Sequence, residues 1–290
     1  MFRKLILAGA AQYASYDVTQ EGQTAVHILK EEGSVSDAQA AQEADKAQKQ
    51  TGSREASGET PEPTAGSEST AGSPPASSDS SVVSGAGEEE QADAPRVLDP
   101  EKPIVALTFD DGPGKGTSAI LDLLQQYDAR ATFFVIGLCL EQPAQVEKLQ
   151  RAYDLGCAIG SHTYDHVSFK KLSAEQIRSQ TDRVNELLIQ YIGEPASLVR
   201  PPYGHITDAA REAAETPYIH WSIDTEDWLS RDSQSIIAIV QENVQDGDII
   251  LMHDIYPSTA EACETLIPWL IDQGYQLATV PEMMEARGIA

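Results

Sequence analysis

Two adjacent aspartates, Asp110 and Asp111, end an apolar run in the stretch ALTFDDGPGKGT. Like charges this close repel each other unless a cation lies between them or one of them carries a proton. Two histidines four positions apart, His162 and His166, occur in the stretch SHTYDH. Two imidazoles and one carboxylate form a set that binds a divalent metal and leaves positions open for water and substrate. Such a metal would supply the missing positive charge, with one aspartate as its ligand and the other free.

Further ionisable residues follow other apolar runs of the chain. Arg200 follows LV, Asp227 lies in WSIDTEDW, and His253 follows ILM. A free carboxylate can take a proton from water that a metal activates, and an arginine can hold that carboxylate ionised. An imidazole kept protonated by a carboxylate such as Asp227 can donate to a leaving group. Each residue alone also fits a structural role, but together they indicate metal-assisted hydrolysis with a base and an acid.

The elements that must position these residues alternate between strand and helix after residue 98. Apolar runs predict strands at 104–109, 131–137, 157–162, 198–204, 218–224 and 248–254. Amphipathic stretches predict helices at 117–129, 143–156, 173–193, 207–216, 233–244 and 259–274, the first capped by Thr117 or Ser118. This alternation predicts an α/β fold with a parallel sheet. Because no GxGxxG fingerprint occurs, we expect a closed barrel, with its chemistry at the carboxyl ends of the strands.

The charge and cysteine content of the chain exclude several classes of partner and site. Its 290 residues include 46 acidic and 20 basic side chains, a net charge of −26. Nucleic acids and anionic membranes are bound through Lys and Arg, so this excess argues against both as partners. The cysteines, Cys139, Cys157 and Cys263, form no Cys-x-x-Cys pair. We therefore expect buried thiols and neither a disulfide framework nor a thiolate metal site.

The first 97 residues differ in composition from the rest. Residues 1–30 begin with MFRKLILAGAAQYAS, whose basic start, short apolar run and small residues outline a weak secretory signal or a former anchor. A cytosolic N-terminus without a signal is the alternative. No apolar stretch reaches the roughly 18 residues of a membrane span. Residues 31–97 are rich in Ser, Glu, Pro and Ala, and their few large apolar side chains predict a disordered linker.

Five motifs within residues 98–290 resemble those of the polysaccharide deacetylase family, whose catalytic region is the NodB homology domain (carbohydrate esterase family 4). They are TFDDGP at 108–113, HTYDH at 162–166, RPPYG at 200–204, DTEDW at 224–228 and LMH at 251–253. The resemblance implies a distorted seven-stranded (β/α) barrel and metal-dependent removal of acetyl groups from N-acetylated sugars. The implied cofactor is Zn2+ or another divalent transition metal such as Co2+. The implied location is extracellular or in the cell wall.

The resemblance also implies the roles of the ionisable residues. Asp110 is the base, and Arg200 orients it. His253 is the acid that protonates the leaving amine, tuned by Asp227. The metal ligands are Asp111, His162 and His166.

Other motif residues are expected at the substrate. The backbone N–H of Tyr203 helps to stabilise the oxyanion, and Trp228 and Leu251 line the acetyl pocket. Pro202 completes the residues expected to contact substrate. Asp224 has no firm role. His205, which follows RPPYG, is expected at the surface, and a position in the groove or near the metal is the alternative.

The substrate is less closely defined by the sequence than the reaction. SIDTEDW and LMHDIYPST resemble bacterial peptidoglycan N-acetylglucosamine deacetylases, so peptidoglycan is the leading candidate. A chitooligosaccharide deacetylase acting on a chitin-like glycan and an acetylxylan esterase are alternatives with the same motifs. A non-catalytic glycan-binding module is the alternative of another class. Asp110 and His253 argue against it, because binding alone needs neither a base nor an acid.

Overall fold

The computed structural model of the protein describes residues 3–5, 13–18, 24–29 and 96–289. The predicted linker lies outside the described residues, apart from its last two positions. In the N-terminal segment, β1 (Arg3–Leu5), β2 (Tyr13–Val18) and β3 (Thr24–Leu29) pair as an antiparallel sheet in the order β1-β2-β3. The interpretation of residues 1–30 as a signal stays a prediction.

Residues 96–289 form the alternating strands and helices that the sequence predicts. The strands are β4 (Ile104–Asp110), β5 (Thr132–Val135), β6 (Ala158–Ser161), β7 (Ile223–Asp224), β8 (Ile249–His253) and β9 (Gln276–Leu277). The helices are α1 (Thr117–Gln126), α2 (Pro143–Asp154), α3 (Ala174–Ile192), α4 (Asp208–Ala213), α5 (Asp227–Ser230), α6 (Ser233–Asn243), α7 (Pro257–Asp272) and α8 (Val280–Ala286). All six predicted helices are present, and the short helices α5 and α8 are additional. No helix among the described residues is both long and apolar enough to cross a membrane.

The central strand β4 is buried along its whole length and pairs in parallel with β5 and β8. Its side chains alternate between two faces, as a strand requires. Val105, Leu107 and Phe109 pack in one cluster with the helices, whereas Ile104 and Ala106 belong to a second cluster. Asp110 continues the alternation of Ile104 and Ala106, so the strand directs this carboxylate away from the outer helices.

The parallel segments close into the irregular ring that a distorted barrel requires. The hydrogen-bonded order is β6-β5-β4-β8-β7, and β9 adds to β4. Val199 bridges β6 at Ser161 and also pairs with Tyr218. Residues 218–224 therefore pair with Val199 at their start and with β8 at their end, where β7 lies. The predicted α/β fold with a parallel sheet is confirmed, and this pairing accords with a barrel.

Two of the six predicted strands are much shorter than expected. The stretch 198–204 contributes only the bridge at Val199, and 218–224 is regular only at its last two residues. The reason is the buried guanidinium of Arg200, which donates to the carbonyl oxygens of Ile219 (3.3 Å) and His220 (3.0 Å). Backbone groups that bond to a side chain are lost to the ladder, so the strand is interrupted there.

The helix ends follow local sequence signals except at α1. Ser173 caps α3 in a capping box with Gln176, and Gly193 ends that helix with φ 85°. The expected cap of α1 by Thr117 or Ser118 is wrong, since Gly116 occupies the cap position without a side-chain bond. The Thr117 hydroxyl instead accepts from the Gly114 amide (2.6 Å) and donates to Asp254 (2.5 Å). As expected, Cys157 and Cys263 are buried free thiols, whereas Cys139 is only half-buried.

Gly160 in β6 tests how tightly the interior of the ring is packed. A Cβ placed there would lie 2.5 Å from Cδ1 of Phe134 and 3.1 Å from the carbonyl oxygen of Leu198. We expect Gly160→Ala to lower the free energy of unfolding by about 1–3 kcal/mol, the usual cost of overpacking. Urea unfolding would measure the loss. The double variant Gly160→Ala, Phe134→Leu should lose less than the sum of the two single variants, and strict additivity would contradict the predicted contact.

Candidate active site

The register between β4 and β8 sets the frame of the site. Asp110, the last residue of β4, is paired with His253, the last residue of β8. On its other side Asp110 is paired with Phe134 of β5. Because the strands are parallel, their carboxyl ends meet at one edge of the sheet. The carboxylate and the imidazole expected to act as base and acid therefore start from neighbouring positions.

Asp110 is held by the fully buried guanidinium of Arg200. Nη1 of Arg200 donates to Oδ1 of Asp110 and to the hydroxyl of Thr108, both at 2.8 Å. The guanidinium also stacks on the ring of Phe134, with Cζ 4.1 Å from the ring centroid. Burial lowers the pKa of Arg200, and the Asp110 carboxylate opposes that shift. The pair is thus a buried, charge-assisted hydrogen bond that fixes one oxygen of Asp110.

Asp111, His162 and His166 are brought together as the sequence predicts. Oδ1 of Asp111 lies 3.5 Å from Nε2 of His162 and 3.4 Å from Nε2 of His166. One candidate ligand atom from each residue falls within 4.8 Å of the others. Asp111 turns out of β4 with φ 70° and His166 has φ 59°, so neither follows regular strand geometry. These left-handed conformations allow the side chains of Asp111 and His166 to approach that of His162.

The hydrogen bonds of His162 and Asp111 show that these residues, with His166, are suited to bind a divalent metal. Nδ1 of His162 donates to the carbonyl oxygen of Arg200 at 2.7 Å, which leaves the lone pair of Nε2 facing Asp111. Oδ1 of Asp111 is buried and has no hydrogen-bond partner among the residues that the structure describes. A lone pair and a carboxylate oxygen that face each other repel unless a cation or a proton lies between them. The three residues could therefore hold one metal and leave further positions to water or substrate.

The protonation of this group suits metal binding as well. Burial lowers the pKa of His166 to about 4, so its imidazole is neutral near pH 7. Burial alone would raise the pKa of Asp111, but the nearby histidine side chains outweigh it and lower that pKa. A neutral imidazole and an ionised carboxylate are the forms that bind metal.

His253, the last residue of β8, is paired with Asp227. Nδ1 of His253 lies 2.7 Å from Oδ1 of Asp227, and the backbone N–H of His253 donates to Oδ2 at 2.7 Å. The hydroxyl of Thr259 donates to the same Oδ2 at 2.7 Å. Burial disfavours the charged imidazole, but the Asp227 carboxylate outweighs this and raises the pKa of His253 to about 10. His253 is therefore a proton donor at neutral pH.

The residues expected to contact substrate are close in sequence to the ionisable residues of the site. Tyr203 has φ 61° within the short turn Pro202–Gly204, and its ring meets that of His166 edge-on at 4.8 Å between centroids. Trp228 and Leu251 are both 4% exposed. Trp228 directly follows Asp227, and Leu251 precedes His253 by two positions in β8. Their roles at an acetyl group stay predictions.

Two residues near the site differ from the expectations or were missed. His205 is buried rather than at the surface, and its Nδ1 lies 3.3 Å from the hydroxyl of Ser168. Asp254 is fully buried against Gly112, where a Cβ would lie 2.1 Å from Oδ1. Burial raises the pKa of Asp254 to about 7, although its bond from Thr117 opposes the shift. The position of Asp254 directly after ILMH was the only sequence signal for it.

Asp224 stays without a chemical role. Its Oδ1 accepts from the backbone N–H of Glu226 at 2.9 Å, which stabilises the turn before α5. Burial raises the pKa of this carboxyl.

Comparison with known proteins identifies the family. The model of the polysaccharide deacetylase family matches residues 98–218. The chain is 38% identical over 191 residues to the peptidoglycan-N-acetylmuramic acid deacetylase PdaC of Bacillus subtilis, covering 66% of this chain and 40% of that protein. A solved structure of PdaC superposes with a TM-score of 0.63 at 38% identity, covering 66% of this chain and 94% of that one. The chain therefore spans less than half the length of full PdaC.

Two further proteins extend the comparison. A peptidoglycan-N-acetylglucosamine deacetylase of Bacillus cereus is 37% identical over 191 residues, which cover 62% of this chain and 88% of that protein. A family 4 acetyl xylan esterase of Clostridium thermocellum, solved with a cobalt ion, has a TM-score of 0.61 at 31% identity and covers 64% of this chain and 93% of that one. With its five motifs gathered at one edge of a parallel sheet, the chain belongs to the polysaccharide deacetylase family.

Proposed function

We propose that the protein is a metal-dependent hydrolase that removes N-acetyl groups from N-acetylglucosamine residues of peptidoglycan. The observation that carries this proposal is that a candidate metal site is accompanied by one group suited to accept a proton and another suited to donate one. Asp110 is a carboxylate held by Arg200, and His253 is an imidazole held protonated by Asp227. A base that takes a proton from water and an acid that protonates the leaving amine, close to a metal site, are suited to amide hydrolysis.

Asp110 acts as the base in this proposal. Oδ1 is held by Arg200, while Oδ2 lies 3.8 Å from Nε2 of His162, at the edge of the candidate metal site. Oδ2 is therefore the oxygen available to take a proton from the attacking water. The hydrogen bond from Arg200 prevents the carboxylate from turning to become a metal ligand.

Asp111, His162 and His166 hold the metal. When bound, a divalent ion such as Zn2+ or Co2+ supplies Lewis acidity to the acetyl carbonyl and to the attacking water. The carbonyl oxygen of Arg200 keeps the ring of His162 in the orientation and tautomer that binding requires. The backbone N–H of Tyr203 donates to the developing oxyanion, while Pro202, Trp228 and Leu251 enclose the acetyl group.

His253 donates a proton to the leaving amine. An amine is a poor leaving group unless it is protonated, so amide hydrolysis depends on this step. Asp227 receives three hydrogen bonds, two from His253 and one from Thr259, and is 0% exposed. It therefore keeps both the charge and the orientation of the imidazole.

Two other substrate classes and one other kind of protein are compatible with the same site. A chitin-like glycan offers the same N-acetyl group, and acetylxylan offers an ester whose leaving group needs less help from His253. The similarity to an acetyl xylan esterase makes the ester a specific alternative. A glycan-binding module is disfavoured by the prepared acid and base. We further propose that the enzyme works outside the cell or in the cell wall, where peptidoglycan lies.

Acetate release on a set of substrates tests the proposed reaction. We expect the full chain, stripped of metal by a chelator, to release no acetate from peptidoglycan, chitooligosaccharide or acetylxylan. Added Zn2+ should restore release from peptidoglycan above the other two. Zn2+-dependent release from acetylxylan alone would show that the substrate is an ester and not an amide. No release from any of the three, with Zn2+ demonstrably bound, would contradict the proposal.

The base is tested by Asp110→Asn, which keeps the shape of the side chain and removes its charge. We expect kcat to fall by about 100- to 10,000-fold, the usual contribution of general base catalysis. Zn2+ stoichiometry, measured by titration calorimetry, should not change, because Asp110 is not a ligand in this proposal. The matched variant Asp111→Asn should instead weaken Zn2+ binding. Loss of Zn2+ from Asp110→Asn would show that the two aspartates have been assigned the wrong way round.

The acid is tested by Asp227→Asn, through the pH dependence of kcat/KM. Because Asp227 raises the pKa of His253 from 6.5 to about 10, the imidazole keeps its proton through neutral pH and loses it only toward pH 10. Without this carboxylate the pKa should return to 6.5 or below. Activity at pH 8 should then fall about 30-fold or more, since only about 3% of the imidazole stays protonated.

The alkaline limb of the profile should move to lower pH in the same variant, and an unmoved limb would refute the role of Asp227. The free energy of unfolding of the wild-type protein should also fall as the pH rises in this range. The raised pKa of His253 stabilises the folded state fully below pH 6.5, and that contribution is lost as the pH rises toward 10.

A further inference from the structure

Beside His253 lies a stacked pair formed by Arg231 and Tyr256. The ring of Tyr256 lies 5.9 Å from that of His253, between centroids. The guanidinium of Arg231 covers the Tyr256 ring, with Cζ 3.3 Å from its centroid. Arg231 is exposed and Tyr256 is half-buried. A solvent-facing cation is thus separated from the proposed acid by a single aromatic ring.

The position of Arg231 is fixed by the same turn that carries Asp227 and Trp228. Its backbone N–H donates to the carbonyl oxygen of Asp227 at 3.1 Å, and Arg231 has φ 52°. Its Nε donates to the carbonyl oxygen of Trp228 at 2.8 Å. The side chain is held at Nε by this bond and over the face of its guanidinium by the Tyr256 ring. Because its guanidinium is already oriented, it loses little further freedom on binding. Within residues 96–289 neither terminal nitrogen has a hydrogen-bond partner, and the side chain is exposed.

The charge of Arg231 is not neutralised by any carboxylate in the part of the chain from 96 to 289. Among residues 96–289 no carboxylate forms an ion pair with Arg231. The neighbouring Asp232 instead accepts from the backbone N–H and the hydroxyl of Ser235. The stack of Arg183 on Tyr164 provides a contrast, since the hydroxyl of that tyrosine bonds to the carboxylate of Glu141. The stack of Arg183 thus lies next to a carboxylate, whereas no carboxylate among residues 96–289 pairs with Arg231.

We propose that Arg231 is a specificity residue that pairs with a carboxylate carried by the glycan. The inference rests on the proposed function and defines its substrate further. Polymers of N-acetylglucosamine and acetylated xylan backbones are uncharged. N-acetylmuramic acid without a peptide stem carries a lactyl carboxylate, and where a stem is attached to that group the stem carries carboxylates of its own. A chain with a net charge of −26 repels such a polyanion as a whole. A preoriented guanidinium beside the acid offsets this repulsion locally and selects the anionic glycan over the neutral ones.

Matched glycans that differ only in charge test this inference on the full, Zn2+-loaded chain. The substrates are peptide-free peptidoglycan strands with free lactyl carboxylates, the same strands after amidation of those carboxylates, and intact peptidoglycan. A neutral N-acetylglucosamine oligomer is the fourth. For each, kcat and KM of acetate release are measured, with the Kd of the peptide-free strands by titration calorimetry.

We expect the wild-type protein to prefer a carboxylate-bearing strand over its amidated form. Arg231→Gln should lower kcat/KM on that strand roughly 1.5- to 5-fold, mainly through KM, the range of a single exposed charge pair. It should leave the amidated strand and the neutral oligomer unchanged. Arg231→Lys should keep part of the preference. A preference for the free lactyl strands identifies the lactyl group, and a preference for intact peptidoglycan alone identifies the peptide stem.

A matched control and an independent readout make the inference refutable. Arg151 in α2 pairs with Asp122 on the outer helices, so Arg151→Gln removes the same charge away from the site and should keep the preference. An equal loss on all substrates in Arg231→Gln would mean that Arg231 only supports Tyr256, and would overturn the inference. So would a wild-type protein with no preference. If acetate is released from none of the substrates, the proposed reaction fails, and an Arg231-dependent difference in Kd still decides the inference.

Discussion

The site depends on the buried side chain of Arg200. Its guanidinium binds the carboxylate of Asp110, the hydroxyl of Thr108 and two carbonyl oxygens of the interrupted strand at residues 218–224. Its own backbone carbonyl accepts from Nδ1 of His162. One residue thus connects the proposed base, a candidate metal ligand and the ring closure. A change in the position of Arg200 would therefore alter all three.

Such a buried pair is a poor way to gain stability. Removing a guanidinium and a carboxylate from water costs several kcal/mol per ion, and apolar residues of similar size often stabilise a fold as well or better. Here the cost is reduced because the guanidinium also bonds to Thr108 and backbone carbonyls and stacks on Phe134. The pair is better explained by the charge and orientation that it imposes on Asp110.

The sequence was sufficient for the elements and for the groups at the strand ends, because both depend on local pattern. Apolar runs located β4, β5, β6 and β8, and the five motifs located the ionisable residues. The sequence failed where a side chain finds its partner across a long separation. Thr117 has the residue type of a helix cap, yet its hydroxyl bonds to Asp254, and Arg200 interrupts a strand about 20 residues away. Neither the burial of His205 nor the stack of Arg231 on Tyr256 has a local signature.

The pairing of Asp110 with His253 across β4 and β8 has a consequence for how such a protein can change its substrate. Adjacent strands lie about 4.8 Å apart wherever their backbone groups are bonded, whatever side chains surround them. The distance between the backbones of the proposed base and the proposed acid is therefore set by the ladder. The groups that would recognise a glycan, such as Arg231 and Tyr203, lie on turns beyond the strand ends. Those turns can diverge to accept new sugars while the spacing of the reacting groups is inherited unchanged.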